Sequence, residues 1–105
     1  MPREAEIRKK AVQILCEDKW AYWYPPKVRF KQNDIFGVFD MVCCKKTTGG
    51  LKFIQLTTVS NLSARRKKIQ KFFKENKIAP KAAFSAEVEI WAWSKKKKDF
   101  KIEMI

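Results

Sequence analysis

An aspartate inside an apolar run is the residue of this sequence whose type and position could do chemistry. Asp40 is the only charged residue among the ten positions from Ile35 to Cys44. An ionised carboxylate in such surroundings is costly unless it is paired, accepts hydrogen bonds or binds a metal. Asp40 therefore has two candidate roles. It pairs with a lysine or accepts backbone N–H bonds, or it belongs to a functional site.

A polar pair follows fifteen positions after this aspartate. Thr47–Gly50 has the composition of a hairpin turn, and the segment Leu51–Thr58 that follows it predicts the partner strand. Strand alternation places Gln55 and Thr57 on one face, about 6.6 Å apart along the chain. Hairpin pairing can bring Asp40 beside Gln55, so we expect these side chains to share a site.

A second acidic residue, Asp34, has the same strand parity as Asp40. A continuous strand of six residues would separate the two by about 20 Å, which is too far for one ion. We therefore predict that Asp34 is a turn residue. The alternative is a bulge at Gly37, which would shorten the distance and return Asp34 to the site.

Hydrophobic periodicity predicts the elements that must position these residues. Ile7, Ala11, Ile14 and Leu15 indicate a first helix, and a second helix should start at Asn61 or Ser63. Alternating or apolar runs predict five strands, and a linker is expected around Pro80. The strands are expected at 20–31, Ile35–Cys44, Leu51–Thr58, Glu87–Ser94 and Phe100–Ile105. The order αβββαββ predicts one α/β domain, 1–105, with a mixed central sheet flanked by helices.

The segments Asp34–Asp40 and Phe53–Thr58 resemble the motif strands of the PD-(D/E)XK nuclease superfamily, and the similarity covers about positions 3–94. The arrangement particularly resembles that of archaeal Holliday junction resolvases and small phage or viral nucleases. The resemblance implies a restriction-endonuclease-like fold. It also implies that Asp40 and Gln55 bind Mg²⁺ or Mn²⁺, with Gln55 in place of the usual glutamate. Glu6 or Glu4 would match the carboxylate that the first helix of the family often supplies.

Thr57 occupies the position of the catalytic lysine of that family, and this departure leaves three outcomes. Lys67 or Lys68 reaches into the site from the second helix, the metal alone activates water, or the site binds without cleaving. The first two outcomes predict a metal-dependent DNA endonuclease or junction resolvase that hydrolyses phosphodiester bonds. The third predicts a non-catalytic nucleic-acid-binding protein on the same scaffold.

The charge balance also indicates a polyanionic partner. Twenty-four Lys and Arg residues against eleven Asp and Glu give a net charge of +13, and this excess favours nucleic acid or an anionic surface. A thermophile surface would show glutamate rising with lysine, which is not the case here. The residues expected to contact the DNA backbone are Arg65, Arg66, Lys67, Lys68, Lys95 and Lys96. The alternative for both clusters is a solvated surface without a partner.

Other residue types restrict the chemistry and the location. Histidine is absent, which excludes Ser-His-Asp and Cys-His catalysis. Three cysteines without a CxxC spacing predict reduced thiols in a cytoplasmic protein. No apolar run approaches the ~20 residues of a membrane span, and the charged amino terminus predicts no signal peptide.

The tryptophans of the fourth predicted strand indicate a surface for self-association. Trp91 and Trp93 share strand parity with Glu87 and Glu89, so we expect them to be partly exposed. A homodimer is also what the resemblance to junction resolvases implies. A protein-interaction module that uses these tryptophans is a third class of function.

Overall fold

The computed structural model describes residues 4–26, 34–79 and 86–105, and the regular elements lie within these ranges. The described residues form two α-helices, a short 3-10 turn and five strands. In chain order these are α1 (Glu4–Glu17), β1 (Trp20–Trp23), β2 (Met41–Lys45), β3 (Leu51–Thr58), the 3-10 turn (Val59–Asn61), α2 (Leu62–Glu75), β4 (Glu87–Ser94) and β5 (Asp99–Met104).

The five strands form one sheet in the order β1-β2-β3-β4-β5. Neighbouring strands are antiparallel except β3 and β4, which are parallel, and α2 lies in the connection between them. Met41 pairs with Ile54 in the β2–β3 hairpin, and Gln55 pairs with Ile90 across the parallel ladder. The predicted α/β class with a mixed sheet and two helices is confirmed.

The two helices cover opposite faces of the sheet. Each helix packs on the sheet through one apolar stripe. The α1 stripe of Ile7, Ala11 and Leu15 is buried against side chains such as Met41 and Ile54. The α2 stripe packs on the other face. Its buried members and their partners are Leu62, Ile69, Phe73, Val88, Ile90 and Ala92. No helix in the described part of the chain is long and apolar enough to cross a bilayer.

The prediction that Trp91 and Trp93 are partly exposed is wrong. Their side chains are only 3% and 7% exposed and belong to the core under α1. Because β4 lies inside the sheet with a helix on each face, both of its faces are buried. Glu89 shares this face, where it accepts a hydrogen bond from Trp91 Nε1 at 2.9 Å and pairs with Lys52 Nζ at 3.2 Å.

Two predicted strands are shorter than expected. The run Ile35–Cys44 is a strand only from Met41 onward, and Ile35–Asp40 instead forms a turn. The strand expected at 20–31 ends at Trp23. Its second half and the centre of the predicted linker lie outside the described residues.

Candidate functional site

A cleft of about 360 Å³ lies at one edge of the sheet. Because β3 is antiparallel to β2 and parallel to β4, this edge brings together the start of β2 and the carboxyl ends of β3 and β4. The 3-10 turn and then the first turns of α2 follow β3. The described residues that line the cleft are Ile7, Asp34, Asp40, Gln55, Leu56, Thr57, Thr58, Ser60, Asn61 and Arg65.

Asp40 immediately precedes β2 and continues its pairing with β3. Its backbone N–H donates to Ile54 O at 2.8 Å, and its Oδ2 accepts hydrogen bonds from Leu56 N–H at 2.6 Å and Gln55 Nε2 at 2.9 Å. The predicted contact between Asp40 and Gln55 is confirmed. The structural role that was the alternative for Asp40 is also present, because its carboxylate accepts a backbone N–H.

Gln55 is a buried amide with one unused polar atom. The side chain is 3% exposed, and its Nε2 also donates to Leu56 O at 3.2 Å. Its Oε1 is buried and has no hydrogen-bond partner among the residues described. An unpaired buried acceptor costs about 1–3 kcal/mol, so a cation or a water donor in the cleft would stabilise this amide.

Asp34 lies in the cleft because the segment before β2 doubles back on itself. Ile35 and Phe39 exchange backbone hydrogen bonds of 2.8 and 2.9 Å, and the loop between them has positive φ at Phe36 (+56°) and Gly37 (+71°). Extending this antiparallel register by one position places Asp34 opposite Asp40. The 20 Å separation expected from a continuous strand is therefore wrong. A chain reversal over 35–39, rather than the bulge considered at Gly37, brings Asp34 into the cleft.

Hydroxyl and amide groups form the wall of the cleft between β3 and α2. Thr57 is 8% exposed and lines the cleft, so the position matched to a lysine carries a hydroxyl there. Thr58 Oγ1 lies 3.0 Å from Ser60 Oγ and accepts a hydrogen bond from Asn61 Nδ2 at 3.2 Å. Asn61 precedes α2 but makes no side-chain capping bond to a described residue.

The basic residues at the start of α2 have different environments. Arg65 is half-buried and is the only cation among the described residues that line the cleft. Arg66 instead donates to both carboxylate oxygens of Glu103, at 2.6 and 2.7 Å. This contact raises the pKa of Arg66 and lowers that of Glu103. Lys67 is exposed and Lys68 half-buried, and neither belongs to the described lining of the cleft.

Glu6, Lys95 and Lys96 do not belong to the described lining of the cleft. Glu6 is exposed on α1, and the described α1 residue in the cleft is Ile7. Glu4 begins α1, at the edge of the described residues. Lys95 and Lys96 are exposed in the turn between β4 and β5, which lies at the same sheet edge as the cleft. Within ranges 4–26, 34–79 and 86–105, no group of three His, Cys, Asp or Glu residues is arranged to hold a metal ion.

The sequence analysis treated Asp34 as a turn residue and did not single out Arg65 from its basic neighbours. The Phe-Gly pair at 36–37 was the available signal for the reversal that brings Asp34 into the cleft. No model of a known protein family matches the chain, and no curated protein or solved structure is significantly similar to it.

Proposed function

We propose that this protein is a metal-dependent DNA endonuclease whose site is the cleft at the carboxyl end of β3, on a restriction-endonuclease-like scaffold. The observation that supports the proposal is the meeting of Asp34, Asp40 and Gln55 in that cleft. Two carboxylates and an amide oxygen are the donor types that Mg²⁺ and Mn²⁺ prefer.

The donor set fits a hard divalent cation in two respects. Asp34 and Asp40 bring two like charges to one cleft, and such charges favour a cation between them. Gln55 Oε1 is a buried oxygen that lacks a hydrogen-bond partner in the described structure and can serve as a neutral ligand. When bound, such a cation lowers the pKa of water and offsets the negative charge of the phosphate.

The other groups of the cleft would bind and orient the DNA backbone. The Arg65 guanidinium supplies a positive charge and a planar set of N–H donors, which suits a phosphate. Thr57, Ser60 and Asn61 add neutral hydrogen-bonding groups beside it. Leu56 N–H and Gln55 Nε2 fix the position of the Asp40 carboxylate. In this proposal the metal alone activates water, because the described lining of the cleft contains no lysine.

A non-catalytic DNA-binding protein on the same scaffold is the second candidate. Thr57 supports it, since a hydroxyl cannot supply the ammonium of the family's lysine. The hydrogen bonds that Asp40 Oδ2 accepts from Leu56 and Gln55 also support it, because they give this carboxylate a role without metal. This candidate predicts salt-sensitive DNA binding that is unchanged by EDTA.

Cleavage assays on single-stranded, duplex and branched DNA test the proposal. We expect cleavage with Mg²⁺ or Mn²⁺ and none with EDTA, and a loss of at least about 100-fold in Asp40→Asn and in Asp34→Asn. Glu17→Gln is the matched control, because it removes one negative charge from an exposed site at the far end of α1. Cleavage by Asp40→Asn at the rate of the unsubstituted protein would refute the proposal.

The homodimer now depends on the resemblance alone, because the tryptophans expected to form its surface are buried. A junction resolvase cuts two strands and so needs two sites, which predicts a particle of twice the 12.4 kDa chain mass. Light scattering coupled to size-exclusion chromatography measures that mass with and without DNA.

A further inference from the structure

Phe36 is an exposed aromatic residue in a strained backbone conformation. Its side chain is 63% exposed, and its φ of +56° lies in the left-handed region that large side chains rarely adopt. Glycine or asparagine would satisfy this turn at lower cost. Strain of this kind is concentrated at functional sites, and the same turn carries Asp34 and Asp40 at its two ends.

The Phe36 ring forms one wall of a groove between this turn and α2. The groove has a volume of about 470 Å³ and is lined by Phe36, Val38, Lys68, Lys71, Phe72, Glu75 and Asn76. The ring lies 5.7 Å from that of Phe72 at an interplanar angle of 28°, and 6.0 Å from that of Phe53. These contacts hold Phe36 in place while more than half of its side-chain surface stays open to solvent.

The groove and the cleft share two elements. The turn gives Asp34 and Asp40 to the cleft and Phe36 to the groove. Helix α2 gives Arg65 to the cleft and Lys68, one turn later, to the groove. Positive charge therefore extends from the cleft to the exposed ring, although Lys71 also pairs with Glu75 at 3.6 Å.

We propose that this groove binds an unpaired nucleotide of single-stranded DNA, with the base against Phe36 and a flanking phosphate near Lys68. An exposed aromatic face beside lysines is the combination that binds single strands without sequence preference. The inference rests on the proposed function in one respect, since it names the substrate of the same site. It requires that the preferred DNA has unpaired bases next to the cleft.

Binding measurements on two Phe36 variants test this inference. Phe36→Asn removes the ring and suits a positive φ, whereas Phe36→Trp keeps an aromatic face. The probes are an oligonucleotide of about 12 nucleotides that contains 2-aminopurine, and the blunt duplex of the same sequence. We expect Phe36→Asn to weaken single-strand binding about ten-fold and duplex binding less than about two-fold. Phe36→Trp should retain both affinities.

Leu51→Ala is the matched control, because Leu51 is an apolar residue that is 45% exposed at the opposite end of β3. Quenching of 2-aminopurine by the unsubstituted protein, lost in Phe36→Asn, would support stacking on the ring. Equal losses on single strands and duplex would overturn the inference, and so would unchanged single-strand binding. The assays run in EDTA, so absence of Asp40-dependent cleavage refutes the nuclease proposal without affecting this result.

Discussion

The Asp40 carboxylate stabilises the β2–β3 hairpin in addition to the metal-binding role that we propose for it. Its Oδ2 occupies the place of a backbone carbonyl, because it accepts the N–H of the buried residue Leu56. A residue that serves both roles complicates mutagenesis, since loss of activity can follow from loss of fold. The choice of substitution at this position therefore matters.

Asp40→Ala should destabilise the protein by about 1–3 kcal/mol, because it leaves the Leu56 N–H and the Gln55 amide without their acceptor. Asp40→Asn keeps an acceptor oxygen at the same place and should lose less. Urea denaturation, monitored by tryptophan fluorescence, measures the free energy of unfolding of each variant. Equal stabilities for the alanine variant and the unsubstituted protein would show that the hydrogen bond to Leu56 contributes little.

Cys43 should be chemically inert in the folded protein. The thiol is buried, and this burial raises its pKa to about 12 from the ordinary value of 9.0. A raised pKa keeps the thiol neutral, so its contribution to stability is present below about pH 9 and is lost as the pH rises toward 12. Iodoacetamide at pH 8 should modify the exposed Cys16 first and Cys43 only after unfolding. Mass spectrometry of peptides from briefly treated protein measures the labelling of each cysteine. Labelling of Cys43 as fast as that of Cys16 would contradict the prediction.

At the scale of elements, long periodic patterns were sufficient to predict most of the fold. The bounds of β3 and β4 match the sequence predictions because alternation and turn residues mark both ends. The turn before β2 was missed because its residues are as apolar as the strand that follows. Its reversal depends on backbone bonds between Ile35 and Phe39 and on the conformation of Phe36. The hydrophobic pattern of the sequence carries no information on these backbone bonds or on this conformation.

The burial of the β4 tryptophans shows a second limit of strand patterns. Parity correctly placed Trp91 and Trp93 on the face opposite Val88 and Ile90. It could not show that α1 covers that face, since the packing of a helix on a sheet is a tertiary feature. The glutamates that share this parity suggested that the face is exposed to solvent, but Glu89 is buried against Lys52 and Trp91.

The ion pair between Arg66 and Glu103 connects α2 to β5, and its effect should depend on pH. Glu103 has a pKa below its ordinary value of 4.5, chiefly because of the Arg66 hydrogen bonds. Because its pKa is lowered, ionised Glu103 stabilises the fold at pH values above the pKa that it has in the unfolded chain. This stabilisation is lost as the pH falls through the pKa of Glu103 in the folded protein. We expect Glu103→Gln to have a lower Tm than the unsubstituted protein at pH 7, with the difference decreasing as the pH falls below 4.5. A difference that persists unchanged at acidic pH would exclude the charge as its cause.

At the scale of the whole molecule, the edge of the sheet that carries the cleft combines acidic side chains with neighbouring basic side chains. Asp34 and Asp40 lie inside the cleft, Arg65 lines it, and the lysine turn between β4 and β5 lies at the same edge. A net charge of +13 favours a polyanionic partner in general and does not specify where that partner would bind. In the proposed function, the position of the basic groups relative to the cleft must determine where the DNA binds.

The salt dependence of DNA binding can locate the contact surface. Lys95→Gln with Lys96→Gln removes two charges at the cleft edge, whereas Lys19→Gln with Lys46→Gln removes two from exposed positions at the opposite edge. The two double variants have the same net charge as each other, so the nonspecific electrostatic attraction between protein and DNA decreases equally in both. If the turn lysines contact phosphates, the negative slope of log K against log salt should become smaller in magnitude by about 1.8 for the first variant and remain unchanged for the second. Fluorescence anisotropy with duplex DNA over a salt series measures the slopes. Equal decreases in the two variants would show that this edge has no privileged contact with DNA, and the proposed position of the substrate would then be wrong.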